Sequence, residues 1–207
     1  MKIGIPSEIK AQESRVGLTP LSVQELTNHG HDVLVQHNAG YGAGFENEDY
    51  EKAGAKIATT AGDVFNDSDM IVKVKEPQTE EVNMLRENQI LFTYLHLSAA
   101  PELTKGLVKS KSICIAYETV TDEHKRLPLL APMSAVAGRM SIQAGAHSLE
   151  KPQGGRGLLI GGAPGVNPAN VLILGGGVVG ENAATIATGM ESNVFIVDKS
   201  ETRLNEL

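Results

Sequence analysis

Short apolar runs alternate along the chain with segments whose apolar residues recur every three to four positions. That alternation predicts strands interleaved with helices. "KIGIP" reads as a first strand stopped by Pro6. "SEIKAQESRVGLTP" lacks apolar periodicity and reads as a polar loop. Thr19 followed by Pro20 marks a helix start, a hydroxyl N-cap and a proline at the first helical position. The helix is expected to run through "LSVQELTNHG", with Leu21, Val23 and Leu26 inward and Gly30 at its end. "HDVLVQ" follows as a strand, and strand–helix–strand is the local signature of an α/β domain.

The pattern repeats to about residue 120. "NEDYEKAGA", "TAGDVFNDS", "TEEVNMLRENQ" and "APELTKGLVKS" read as helical. Glu80 and Glu81 in a first helical turn suit the helix dipole. "AKIA", "DMIVKVKEP", "ILFTYLHL" and "KSICIAYETV" read as strands. After a proline-containing crossing, Ser134 is expected to cap a long helix, "AVAGRMSIQAGAHSLEK". A Gly/Pro-rich loop then leads to strand "NVLIL", turn "GGGVVG", helix and strand "NVFIV". The expected division is residues 1–130 and 131–207, with the boundary region at 125–135.

Composition narrows the classes. Of 207 residues, 41% are hydrophobic, enough for a packed core, and the formal charge of −7 argues against a nucleic-acid binder. No apolar run is long enough to span a bilayer, and "MKIGIPSEIK" lacks the core of a signal peptide. Cys114, the single cysteine, lies between isoleucines and reads as a buried structural thiol. Internal disulfides and multi-cysteine metal sites are therefore excluded.

Gly175, Gly177 and Gly180 match G-x-G-x-x-G after an apolar strand and before a helix. The first glycine permits the tight turn and the second leaves room for a pyrophosphate. The third lets helix and strand pack closely. The helix N-terminus then offers free N–H groups to phosphate. Asp198, 18 residues past Gly180, ends the next strand where a carboxylate can accept from a ribose 2′-OH and repel a 2′-phosphate, favouring NAD. The alternative is a ligand-free turn and a loop-capping Asp.

Three upstream residues carry further chemistry. Arg15, in a loop, offers a planar fork for a carboxylate, or is a solvated charge. Lys73 and Lys75 share one face if "IVKVKEP" is a strand, either as a solvent face or toward an anion. His96 ends an apolar strand, as a structural histidine or as an acid/base group. Together they point to an NAD-dependent oxidoreductase of a small acid.

The segments "IGIPSEIKAQESRVGLTP", "NAGYGAGFENEDYEKAGAKI", "VKVKEP", "LFTYLHLS", "AYETV", "LPLLAPMSAVAGRMS" and "GGRGLLIGGAPGV", with the glycine turn, resemble the L-alanine dehydrogenases over essentially the whole chain. The resemblance implies an α/β architecture. A Rossmann-like substrate domain precedes the start of a doubly wound NAD-binding domain. It implies reversible oxidative deamination of L-alanine to pyruvate and ammonium with NAD, in amino-acid catabolism. By similarity Arg15 and Lys75 hold the substrate carboxylate and carbonyl oxygen, and His96 is the acid/base group. Ser134, Gly175, Gly177, Gly180, Asp198 and Arg203 would meet the cofactor. A homohexamer is expected on the same ground, whereas a soluble protein of a reducing compartment, hence cytoplasmic, is expected from the single cysteine and the want of a signal peptide or spanning run. The family also resembles the NAD(H)-binding component of transhydrogenases and, more distantly, saccharopine and lysine-forming dehydrogenases. "YLHL" with His96, and Lys75, favour the alanine enzyme. Two departures stand out: Ala135 occupies a position where many relatives carry Glu, and the chain stops after the second strand of the nucleotide domain. A shortened piece of a longer enzyme is expected, the remainder holding further strands and a second catalytic carboxylate. The alternatives are an inactive fragment, a nucleotide-binding module or an assembly partner.

Overall fold

A computed structural model describes all residues, 1–207. They form two units, Met1–Thr121 and Asp122–Leu207, so the first ends before the expected residue 130.

The first unit holds β1 (Lys2–Ile5), α1 (Pro20–Asn28), β2 (Asp32–Gln36), α2 (Asn47–Lys52), β3 (Lys56–Ala58) and α3 (Ala61–Asp67). It continues with β4 (Met70–Val72), α4 (Thr79–Val82), β5 (Ile90–Thr93), α5 (Pro101–Ser110) and β6 (Ile113–Ala116). Every pairing is parallel, in the order β3-β2-β1-β4-β5-β6. This is the Rossmann order, in the unit that lacks the glycine fingerprint. Side chains alternate across β2. Val33 and Val35 join one core with Val23 and Tyr50, while Leu34 packs on the other with Phe65, Ile71 and Leu91. Both faces of the sheet are thus covered, as an all-parallel sheet requires.

Thr19 caps α1 by accepting from the Ser22 N–H, with Pro20 at the start. Within α1, Val23 is fully buried and Leu26 packs on the core, but Leu21 is 78% exposed. Leu21 precedes Val23 by two residues, about 200° around the helix, so both cannot face the sheet. Cys114 is half-buried beside the core, with its Sγ 3.3 Å from Ser112 Oγ.

The second unit holds α6 (Ala131–Ser148), β7 (Asn170–Leu174), α7 (Val178–Gly189), β8 (Asn193–Val197) and α8 (Glu201–Glu206). β7 and β8 pair in parallel over five residues each. One face of the pair meets α6 and α7 through Ile142, Ile173, Ala183 and Ala187. The opposite face exposes Leu172, Leu174, Phe195 and Val197. The helix cap is Leu130, and Ser134 sits inside α6, its N–H donating to Leu130 O. Pro132 in the first turn lets the helix begin before the expected serine cap, because the missing N–H there has no helical partner to lose.

Candidate functional site

In the first unit the chain leaves β1, β4, β5 and β6 at the carboxyl edge of the sheet. β1 and β4 are neighbours at the point where strand order reverses, the usual ligand crevice of an open parallel sheet. The long β1–α1 loop brings Glu8, Glu13 and Arg15 to this neighbourhood. β4 delivers Lys73 and Lys75, β5 delivers Tyr94 and His96, and β6 delivers Tyr117 and Glu118.

Arg15 is gripped by Glu13. Its Nε donates to Oε1 at 2.8 Å, one terminal NH2 donates to Oε2 at 2.6 Å, and its main-chain N–H donates to Oε1 at 2.9 Å. The guanidinium hydrogen bonds hold the Glu13 carboxyl at about 2, against the opposing effect of burial. Lys75 also acts on Glu13 electrostatically, and Arg15 on Tyr94, so these groups share one locale. The Tyr94 ring lies nearly parallel to that of His96, with centroids 6.1 Å apart, and edge-on to Tyr117 at 4.9 Å. Burial pushes the Tyr94 phenol up, and Arg15 pulls it back.

The strand expected through Lys75 ends at Val72. Lys73 and Lys75 therefore do not share a strand face. Lys73 is fully buried, its Nζ 2.6 Å from Glu81 Oε1 and 3.2 Å from Glu8 Oε2, whereas Lys75 is half-buried. A fully buried ammonium needs such partners. Burial, only partly countered by Lys73, raises the Glu81 carboxyl. The outlet of β5 is unusual too. His96 adopts φ 49° and ψ 39°, left-handed for a non-glycine. Its N–H donates to Glu118 Oε1 at 2.7 Å, and Leu95 N–H donates to the same carboxylate. Burial opposes ionisation of Glu118, yet the main-chain donors, that of His96 foremost, hold its carboxyl low.

In the second unit, Gly175 has φ +99°, a conformation glycine alone adopts cheaply. A Cβ on Gly180 would lie 1.8 Å from Gly175 O, so close helix–strand packing depends on its absence. Gly177, at the N-cap of α7, faces open space, where a Cβ meets nothing within 4 Å. These features fit a pyrophosphate cradle at a helix N-terminus. Asp198 accepts from Gly176 N–H at 2.7 Å through Oδ2 and from Ser200 N–H at 2.9 Å through Oδ1. Those main-chain donors, that of Ser200 first, hold its carboxyl low, and the remaining lone pairs suit ribose hydroxyls. Arg203 ties the same loop, donating from Nε to Gly176 O at 2.6 Å and pairing with Glu181 and Glu206. An open groove of about 990 Å³ is lined by Ser134, Gly175, Gly177 and Gly180, together with apolar residues such as Leu130 and Ile142.

The sequence-predicted residues thus fall into two groups. Arg15, Lys75 and His96 gather in the first unit; Ser134, the glycines, Asp198 and Arg203 belong to the second. Sequence reasoning missed Glu8, Glu13, Tyr94 and Glu118. Only Glu13, two residues before Arg15, carries a local signal.

The family described as "Alanine dehydrogenase/PNT, N-terminal domain" matches residues 4–137, and its C-terminal-domain counterpart matches 141–207. The alanine dehydrogenase of Halomonas elongata is 58% identical over all 207 residues, and that of Bacillus subtilis 53%. The chain spans 56% and 54% of those two proteins, about half their length. A solved L-alanine dehydrogenase superposes with a TM-score of 0.91 at 52% identity, the chain covering 57% of it. A transhydrogenase from Sinorhizobium meliloti shares the fold at TM-score 0.83 and 24% identity. With both domains of the family matched in order along its length, the chain belongs to the alanine dehydrogenase/PNT family.

Proposed function

We propose that this chain carries the amino-acid site and the dinucleotide-binding turn of an NAD-dependent alanine dehydrogenase. L-Alanine, water and NAD+ give pyruvate, ammonium, NADH and a proton, reversibly. The single observation supporting this most is the gathering of Arg15, Lys75 and His96 at the strand-order reversal of a sheet without a phosphate cradle, in a family whose named relatives are alanine dehydrogenases.

In this reading Arg15, fixed by Glu13, takes the substrate carboxylate through charge-assisted hydrogen bonds. Lys75 stands by the oxygen that becomes the pyruvate carbonyl, favouring negative charge developing there. His96 moves a proton between the amine or the adding water and solvent. Gly175, Gly177 and Gly180 leave bare main chain for the pyrophosphate, and Asp198 receives the ribose of NAD rather than NADP. Ser134 and Arg203 border the same nucleotide site. The nicotinamide, when bound, supplies the hydride acceptor. Cytoplasmic location and a homohexameric assembly belong to the same reading, and no helix is long and apolar enough to cross a membrane.

The test is NADH formation from L-alanine, followed by absorbance, with parallel calorimetric titration of NADH. Turnover that falls by about 10²-fold or more in His96→Ala and in Lys75→Ala, with folding retained, supports the roles. Near-wild-type turnover in either variant refutes that assignment. A chain that binds NADH yet forms none from L-alanine is instead a nucleotide-binding module of the transhydrogenase kind or an inactive piece.

A further inference from the structure

Just past β4 and β5 the main chain still pairs, Lys73 N–H with Phe92 O and Tyr94 N–H with Val74 O, but the N–H groups that follow take side-chain acceptors. At the three residues assigned to substrate chemistry the acceptor is a glutamate. Arg15 N–H donates to Glu13 Oε1 at 2.9 Å, Lys75 N–H to Glu8 Oε2 at 3.3 Å, and His96 N–H to Glu118 Oε1 at 2.7 Å. We propose that Glu8, Glu13 and Glu118 are positioning residues, which aim Lys75, Arg15 and His96 by fixing their main chain. The inference rests on the substrate roles proposed above.

Glu8 makes the strongest case. Its side chain is 2% exposed, and Val74 N–H donates to its other oxygen at 2.6 Å. Lys73, 1% exposed, is its counter-charge at 3.2 Å and is shared with Glu81. A buried ion triad is a costly way to satisfy two amides, because desolvation offsets most of the attraction. What it supplies is rigidity at one spot. On the far side of the residue, the fully buried Thr93 donates its hydroxyl to Lys75 O at 2.8 Å. The main chain of Lys75 is therefore held at both its N–H and its C=O. Glu118 does the same service for a strained residue, since it holds His96 in the left-handed region. Glu13 adds two bonds to the guanidinium and so sets the plane of Arg15.

The test is a double-mutant cycle on the 207-residue chain, with pyruvate as the probe and calorimetry as the readout. Lys75→Ala should weaken pyruvate binding about tenfold or more, the scale of a lost hydrogen bond to a charged group. Glu8→Gln should weaken it comparably, because one amide oxygen replaces two carboxylate oxygens that face two N–H groups and an ammonium. Added to Lys75→Ala, Glu8→Gln should then cost less than about twofold, since it acts through a side chain already removed. Full additivity overturns the positioning role and leaves the Lys75 reading standing. Unchanged affinity in Lys75→Ala, or no pyruvate binding by the unmodified chain, overturns the substrate reading and the inference with it. Hydrogen exchange gives an independent check: Val74 and Lys75 amides should lose protection in Glu8→Gln, and retained protection refutes the clamp. If Glu8→Gln does not fold, Thr93→Val loosens the other side of Lys75 and carries the same expectation. Glu118→Ala paired with His96→Ala forms the matching cycle for the β5 outlet.

Discussion

Gly180→Ala is a sharp test of the glycine turn, because its cost follows from one contact. The new Cβ would lie 1.8 Å from Gly175 O and 3.2 Å from Ile173 Cγ2, while ordinary contact begins at 3.4 Å. The α7 helix must therefore retreat from β7 by about 1.5 Å, loosening the seam that also contains Ala183 and Ala187. Overpacking of this kind costs about 1–3 kcal/mol. Because the atom met is rigid backbone, the upper part of that range, about 2–3 kcal/mol, applies; better helix propensity returns about 1 kcal/mol, for a net loss of roughly 1–2 kcal/mol. Gly145→Ala is the control. Gly145 lies inside α6 with nothing within 4 Å of the added carbon, so the same chemical change should stabilise by about 0.5–1 kcal/mol. Urea unfolding can separate the units. All four tyrosines lie before Thr121 and there is no tryptophan, so tyrosine emission follows the first unit while far-UV circular dichroism follows both. Gly180→Ala should lower the midpoint of the tyrosine-silent change by about 1 M and weaken NADH binding. A variant as stable as the parent chain would refute the close-packing argument.

Two further outcomes follow from the ionised groups. Glu13, held at about 2 when folded against 4.5 unfolded, contributes stability that is fully present above 4.5 and lost as pH falls toward 2. Linkage gives about 3 kcal/mol, which solvent screening of the half-exposed Arg15 reduces to roughly 1–2 kcal/mol. Urea unfolding between pH 2 and 7 should show an acid limb that flattens in Glu13→Gln, and an unaltered limb would count against the ion pair. Glu81 runs the other way, since its raised carboxyl gives stability below 4.5 that is lost as pH rises. Asp198→Ala removes the acceptor facing Gly176 and Ser200 N–H. It should narrow the preference for NADH over NADPH in paired titrations, and an unchanged ratio would dismiss the ribose role.

Much of this architecture is written in short stretches of the chain. Thr19 with Pro20 names a helix start because cap and first turn are adjacent in sequence. The glycine turn is legible for the same reason: Gly175 needs a left-handed backbone, and Gly180 follows one turn into the helix. Local pattern misleads where neighbours in space override it. "IVKVKEP" alternates like a strand through Lys75, but the regular strand ends at Val72: Lys73 N–H still reaches Phe92 O, and Glu8 then takes the Val74 and Lys75 N–H groups. Ser134 has the chemistry of a cap, yet Pro132 starts the helix earlier.

The sequence alone determined the alternation of strands and helices, the glycine turn between strand and helix, and which residue types could meet a small acid. Those follow from side-chain period and backbone preference, which neighbouring residues share. Only the tertiary structure decided that Glu8 meets Val74 from 66 positions away, and that Glu118 meets His96 from 22. Parallel crossovers set β1 beside β4 and β5 beside β6, so the partners of Lys75 and His96 come from strands distant in the chain. No local period encodes such a meeting, because it depends on which strand edges pair and not on the residues in between.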